Sequence, residues 1–194
     1  MIAHSEHSAL GKWLAGKLDE LARPFTGTVF RFIAPKYSAV DEMFAGEWPR
    51  HADGRWLSKG NVLATYTALL PETALAEALA ATRYYGFPDA NSAPLVFVTA
   101  EAKLKQVIDL RDGKNRQRLR ISESAILNTD WRKENRKGYE AITQAWGWAI
   151  HESGVEGFIV PSSADRGGEN LIVFPGNLKR SSHLKVLSEI DWPR

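Results

Sequence analysis

Between Gly154 and Pro161 the chain reads VEGFIV, a near-continuous apolar run bounded by a turn residue on each side. A run this short, rich in β-branched and aromatic residues, is expected to be a buried strand rather than a helix. The rest of the chain then has to cover it. With 194 residues the chain is long enough for one domain, and a domain of that size buries roughly 70% of the surface its unfolded form exposes. Seven Trp and eight Phe supply apolar area enough to offset the entropy of ordering.

The segments around this run alternate between strand and helix patterns. Leu10, Trp13, Leu14, Leu18 and Leu21 recur at three- and four-residue steps, which predicts an amphipathic helix ending before Pro24. Residues 27–34 (GTVFRFIA) read as a strand, and residues 35–60 as a long irregular stretch broken by Gly46, Pro49, Gly54 and Gly60. NVLATYT (61–67) reads as a second strand, and Pro71 opens a helix that runs to about Tyr85. PLVFVT (94–99) and QVIDL (106–110) are two further strands, while residues 111–130 are polar and weakly patterned. Tyr139, Ile142, Trp146 and Ile150 mark another helix, and residues 170–174 and 184–190 finish the chain as strands. Strands interspersed with helices in this way predict a single α+β domain.

Several chemistries are excluded at this level. The chain has no cysteine, so disulfides, thiolate nucleophiles and cysteine-ligated metal sites are ruled out. The phosphate-loop, dinucleotide-turn, nucleophile-elbow and zinc-protease motifs are absent. The histidines His4, His7, His51, His151 and His183 are scattered along the chain. No apolar run approaches the ~18 residues needed to span a bilayer, and residues 1–10 lack the apolar centre of a signal peptide. The expectation is a protein kept in the cytoplasm, without a membrane or a metal.

Four positions stand out. Arg31 sits between Phe30 and Phe32 in an apolar strand, on the same face as Val29 and Ile33. A guanidinium there needs a carboxylate partner, an anion to bind, or an edge position facing solvent. Gly54-Arg55-Trp56 joins a flexible backbone, a phosphate-matching cation and an aromatic ring that either meets a ligand or covers the core. Glu77 points away from Leu75 and Leu79, toward solvent. Its helical neighbours Thr73, Ala74, Ala80 and Ala81 are small enough to leave the carboxylate open to a ligand. Ser162 and Ser163 follow the buried strand through Pro161, either as turn residues or at the edge of a cleft, with Gly167-Gly168 just beyond.

Taken in order, these residues resemble the RES-domain family, toxins of bacterial toxin–antitoxin modules that are paired with Xre-type antitoxins. The resemblance rests on Phe30-Arg31-Phe32, Gly54-Arg55-Trp56, Tyr66, Ala76-Glu77-Ala78, Val160-Pro161-Ser162-Ser163, and Asn170 with its following strand. It covers residues 28–190, with two departures: Phe32 where the family often has tyrosine, and Leu57 where asparagine is commoner. It implies an ADP-ribosyltransferase-like fold over residues 27–194, a compact α+β domain with a mixed, strongly bent β core flanked by helices. Residues 1–26 would precede it as a helical extension.

The resemblance further implies that NAD⁺ is the substrate, its nicotinamide–ribose bond cleaved by hydrolysis or phosphorolysis, or its ADP-ribose passed to a host protein. The transition state is oxocarbenium-like, so a fixed carboxylate favours it over the ground state. Glu77 takes that role, Arg31 grips the pyrophosphate with Arg55 as a second clamp, and Ser162 orients the ribose or phosphate. Trp56 and Tyr66 line the nicotinamide, and Phe32 is a further contact to the dinucleotide. No metal is required. An Xre-type antitoxin covers the cleft, nucleic acid is met only through that antitoxin, and the complex can hold a homodimer.

The formal charge of +2 conceals one basic segment: residues 102–137 carry a net +6 and the remainder −4. A charge run of this kind is a solvated face or a patch for an acidic partner. A non-enzymatic basic binding module is the competing reading, and a family member that binds NAD⁺ without turnover is another.

Overall fold

The computed structural model describes residues 1–39, 43–60 and 62–192. Helices α1 (His7–Ala15) and α2 (Leu18–Leu21) lead into β1 (Ala22–Ile33). After α3 (Trp48–His51) come β2 (Thr65–Ala68), α4 (Pro71–Tyr84) and β3 (Leu95–Asp109). Three short helices follow, α5 (Gly113–Arg118), α6 (Glu123–Asn128) and α7 (Trp131–Arg136). The chain ends with α8 (Ile142–Glu152), β4 (Gly157–Pro161), β5 (Glu169–Val173) and β6 (His183–Trp192). No helix among the described residues is long and apolar enough to cross a membrane.

The strand order is β1-β2-β5-β4-β3-β6, and β1 also pairs with β3. The first five strands therefore close a ring, with β6 laid outside on β3. The β3–β4 pairing is parallel and the others antiparallel, so the sheet is mixed. The ring encloses Val29, Ala100, Ala102, Leu104, Val107, Ile159, Leu171 and Val173. Alanines at positions 100 and 102 keep this interior narrow. The outer face of β4 and β5 carries Phe158, Val160, Ile172 and Phe174 against Trp146, Ala149 and Ile150 of α8 and Leu10 and Leu14 of α1. The α+β expectation and the bent, mixed core are those of the structure.

Three boundaries differ from the sequence reading. The N-terminal apolar periodicity is split at Gly16-Lys17 into two helices, and β1 starts at Ala22 and runs through Pro24. The chain tolerates proline there because the β1–β3 register shifts between Arg23 and Phe25, which spares the missing N–H a ladder partner. At that irregularity the Glu156 carboxylate accepts the backbone N–H of Lys105 at 2.5 Å and of Gln106 at 2.8 Å. It also takes that of Lys179 at 2.8 Å. The wholly buried acid in the VEGFIV run is thus a staple for β3. The two strands expected at 94–99 and 106–110 are one strand of 15 residues. The β2 strand begins at Thr65, and Asn61 of the expected strand lies outside the described residues.

Candidate active site

The structure brings three side chains together where α4 crosses the ends of β4 and β5. Ser162, 4% exposed, donates its hydroxyl to Glu77 Oε1 at 2.6 Å. Asn170 Nδ2 donates to the same oxygen at 2.5 Å. Glu77 Oε2 carries no hydrogen bond among the described residues. Ser162 Oγ also accepts the backbone N–H of Ala164 and Asp165, each at 3.1 Å, so its hydroxyl is fully engaged within the protein. Antiparallel pairing supplies Asn170: its register partners are Val160 on β4 and Ala68 on β2. The 162–168 loop closes on α4 through Thr73, whose hydroxyl donates to Asp165 Oδ2 at 2.6 Å. A Cβ at Gly168 would stand 2.3 Å from Thr73 Oγ1, so only glycine lets the loop approach this closely. Glu77, expected to face solvent, is instead half-buried and doubly held.

A second wall comes from the 54–57 loop. Arg55 Nη1 donates to the carbonyls of Ile126 at 3.0 Å and Thr129 at 2.9 Å, the electron-rich C-terminal end of α6. Burial pushes the Arg55 guanidinium down, Arg132 acts in the same direction, and the charges of Glu77 and Asp130 oppose them. Tyr66 is enclosed beside it. Burial pushes its phenol up, the Trp56 backbone works against this, and the Glu77 charge adds to it. The phenol therefore stays protonated, yet among the described residues its buried hydroxyl completes no hydrogen bond of good geometry.

Trp56 and Phe32 both pack against other aromatic side chains. Trp56 is 2% exposed and packs edge-on against Phe158 at 5.1 Å between ring centroids. It belongs to the core, because its backbone lies directly on α8: a Cβ at Gly147 would stand 1.7 Å from the Trp56 carbonyl oxygen. Gln144 fixes the same loop, donating to the Gly54 carbonyl at 2.8 Å while it exchanges hydrogen bonds with Asn135. Phe32 points to the other side of β1 from Arg31 and packs on Phe97 at 4.9 Å and Trp192 at 5.7 Å. Strand alternation puts it there.

Arg31 faces inward with Val29 and Ile33, opposite Val98 on β3. Its Nη1 donates to the Met43 carbonyl at 2.5 Å, its guanidinium lies over the Phe44 ring at 5.8 Å, and its buried Nε has no partner among the described residues. Burial pushes its pKa down to about 10. No carboxylate pairs with it among the described residues, and no hydrogen bond ties it to the Glu77 cluster.

A family model, the RES domain, matches residues 28–193. The chain belongs to the RES domain family. A similar solved structure is the crystal structure of the M. tuberculosis MbcT–MbcA toxin–antitoxin complex. The identity is 21%, the match covers 94% of this chain and 93% of that chain, and the TM-score is 0.75. At that identity the likeness is one of fold. Comparison with curated proteins gives no match. In this RES domain Glu77 and Ser162 are in direct contact, whereas Arg31 stands on a separate strand. Asn170 is the site residue that the sequence marked only as a member of a matching segment.

Several arginines of the basic 102–137 segment make contacts within the protein. Arg111 bridges Asp109 and Glu169 at 2.7 and 2.6 Å. Arg116 bonds the carbonyls of Leu110 and Arg111 and the carboxylate of Glu123. Arg120 covers Trp13, and Arg132 and Arg136 cover Tyr84. These contacts give several of the segment's arginines structural roles, while among the described residues only Glu169 and Glu20 bring in carboxylates from outside the segment.

Proposed function

We propose that this RES domain is an NAD⁺-consuming toxin of a toxin–antitoxin module, acting in the cytoplasm and held in check by an antitoxin that covers the site. The observation that carries the reading is the state of Glu77: one oxygen is immobilised by Ser162 and Asn170, and the other has no hydrogen bond among the described residues. A carboxylate fixed in this way stabilises positive charge as it develops on a bound ribose without having to reorganise. The nicotinamide–C1′ bond breaks with its electron pair passing to the ring nitrogen, and nicotinamide leaves neutral. The Glu77 charge steadies the oxocarbenium-like ribosyl group until the oxygen of water or phosphate adds to C1′ and gives up its proton.

Arg31 supports the same reading. A guanidinium enclosed without a carboxylate among the described residues is matched by the pyrophosphate of a dinucleotide, and Arg55 supplies a second positive charge near Glu77. Tyr66 keeps a neutral hydroxyl beside the carboxylate. The MbcT–MbcA complex, described as a toxin–antitoxin pair, is the basis for assigning an antitoxin partner.

The test is to incubate the purified protein with adenine-labelled NAD⁺ and follow nicotinamide and label separately. Release of nicotinamide with the label in a small product supports hydrolysis or phosphorolysis. Label on a protein identifies ADP-ribose transfer, and no nicotinamide release rejects the proposal.

A further inference from the structure

Gln144 and Asn135 form a closed pair of side-chain amides behind the 54–57 loop. Asn135 Nδ2 donates to Gln144 Oε1 at 2.8 Å, and Gln144 Nε2 donates back to Asn135 Oδ1 at 2.9 Å. Gln144 Nε2 also donates to the Gly54 carbonyl at 2.8 Å, and Gln144 Oε1 accepts the Ala141 N–H at 2.9 Å. Asn135 Nδ2 adds the Tyr139 carbonyl at 2.9 Å. A backbone carbonyl takes only a donor and a backbone N–H only an acceptor, so both amides are locked in one orientation. Gln144 is wholly buried, with every donor and acceptor site of its amide filled. A buried polar network satisfied in this way is rigid.

The residue held is the one before Arg55. Gly54 is tied on both sides, its N–H to the Leu57 carbonyl at 2.8 Å and its carbonyl to Gln144. Arg55 is anchored through Nη1, on the carbonyls of Ile126 and Thr129, and its Nε and Nη2 make no hydrogen bond among the described residues. That Nε–Nη2 edge is the one with which Arg83 grips Asp89 and Arg111 grips Asp109. It is a planar fork that matches a carboxylate or a phosphate. Backbone and side chain of the Gly54-Arg55 step are thus clamped at two points to residues 126–135, and the open edge has a fixed direction. We propose that Gln144, supported by Asn135, is a positioning residue: the amide pair fixes the Gly54 carbonyl and so aims the open edge of Arg55 at a phosphate of the bound nucleotide. The inference rests on the NAD⁺-cleaving reading for the ligand, a nucleotide with a pyrophosphate, and on the structure for the clamp.

ADP carries the pyrophosphate without nicotinamide, so its binding reads the clamp without turnover. Its Kd is measured for the purified full chain, Gln144→Met, Arg55→Met and the double variant. Arg55→Met is expected to weaken ADP by at least about tenfold, the worth of one charge-assisted contact, and Gln144→Met by about fivefold. The double variant should match Arg55→Met within about twofold, because Gln144 acts only through Arg55. Losses that multiply in the double variant overturn the proposal, as does a Gln144→Met chain that binds ADP like the wild type, or a wild type that does not bind it. Asn135→Ala leaves the Gly54 bond in place and gives the same cycle should Gln144→Met not fold. Its loss of about threefold should vanish in the Arg55→Met background, and a loss that persists there overturns the proposal. In steady-state nicotinamide release, Gln144→Met should raise KM for NAD⁺ by about fivefold and leave kcat within about twofold. Ser162 and Asn170, not Gln144, hold Glu77, so a fall in kcat at unchanged KM contradicts the positioning role. An ADP cycle that closes on Arg55 in a protein releasing no nicotinamide keeps the clamp and removes the NAD⁺-cleaving reading. Nicotinamide release with ADP losses that multiply does the reverse.

Discussion

The Ser162 hydroxyl reaches Glu77 Oε1 across 2.6 Å, and the same oxygen atom of Ser162 accepts two backbone N–H groups of its own loop. One side chain thereby couples the loop after β4 to the carboxylate on α4. Ser162→Ala removes the donor to Glu77 and orphans both N–H groups. Stability is expected to fall by about 1–3 kcal/mol. Nicotinamide release should slow by about 10- to 100-fold, mainly in kcat, because a loosened carboxylate loses transition-state contact first. Steady-state kinetics with NAD⁺ check this, and a change confined to KM would give Ser162 a substrate-binding role instead.

Arg31 separates stability from function. A guanidinium that burial drives down to about 10 is costly to enclose. Arg31→Met, which keeps the stem and removes the charge, is expected to raise unfolding free energy by about 1–3 kcal/mol while abolishing activity. Arg31→Lys keeps the charge but not the planar fork, and KM for NAD⁺ should rise by at least about tenfold. Chemical denaturation beside initial rates reads both effects. A destabilised Arg31→Met would mean that the Met43 carbonyl and the Phe44 ring already satisfy the charge.

Glu156 sets the acid limb of stability. Burial works against its ionised form, but backbone N–H groups of Lys179, Gln106 and Lys105 outweigh it, and the carboxyl is held below its ordinary range. A group depressed in this way contributes stability above the unfolded value of about 4.3 and loses it as pH falls through the lower folded value. Glu156→Gln should cost about 1–3 kcal/mol at pH 7 and flatten the decline in the denaturation midpoint below about pH 4. An equally steep acid limb in the variant would place that titration on another carboxylate.

How far the sequence could be read depended on whether a residue's role was local. The VEGFIV strand, the helix opened by Pro71 and the α8 periodicity were legible because each announces its own burial. β3 was read as two strands because its middle, EAKLK, alternates charged residues outward with Ala102 and Leu104 inward, and the lysines mask the apolar period. Glu77 and Ser162 were legible as unusual residues in small or turn surroundings. Their contact was not, since 85 positions separate them. The ring of Trp56 was readable either way from Gly-Arg-Trp. Gly147, 91 positions along the chain, decides for the core by letting the loop backbone rest on α8. Asn170 was marked only as part of the matching segment, because its contact with Glu77 comes from strand register.

The proposed function requires that the Glu77 carboxylate, fixed on one oxygen and without a hydrogen bond on the other among the described residues, drives cleavage of the nicotinamide–ribose bond. Single-turnover nicotinamide release by the wild type and by Glu77→Gln, at matched saturation with NAD⁺, tests it most directly. Glutamine keeps the shape and the hydrogen bonds from one oxygen but not the charge, so the rate should fall by at least about 10²-fold with NAD⁺ affinity changed by less than about tenfold. Glu77→Gln releasing nicotinamide at the wild-type rate would contradict the account.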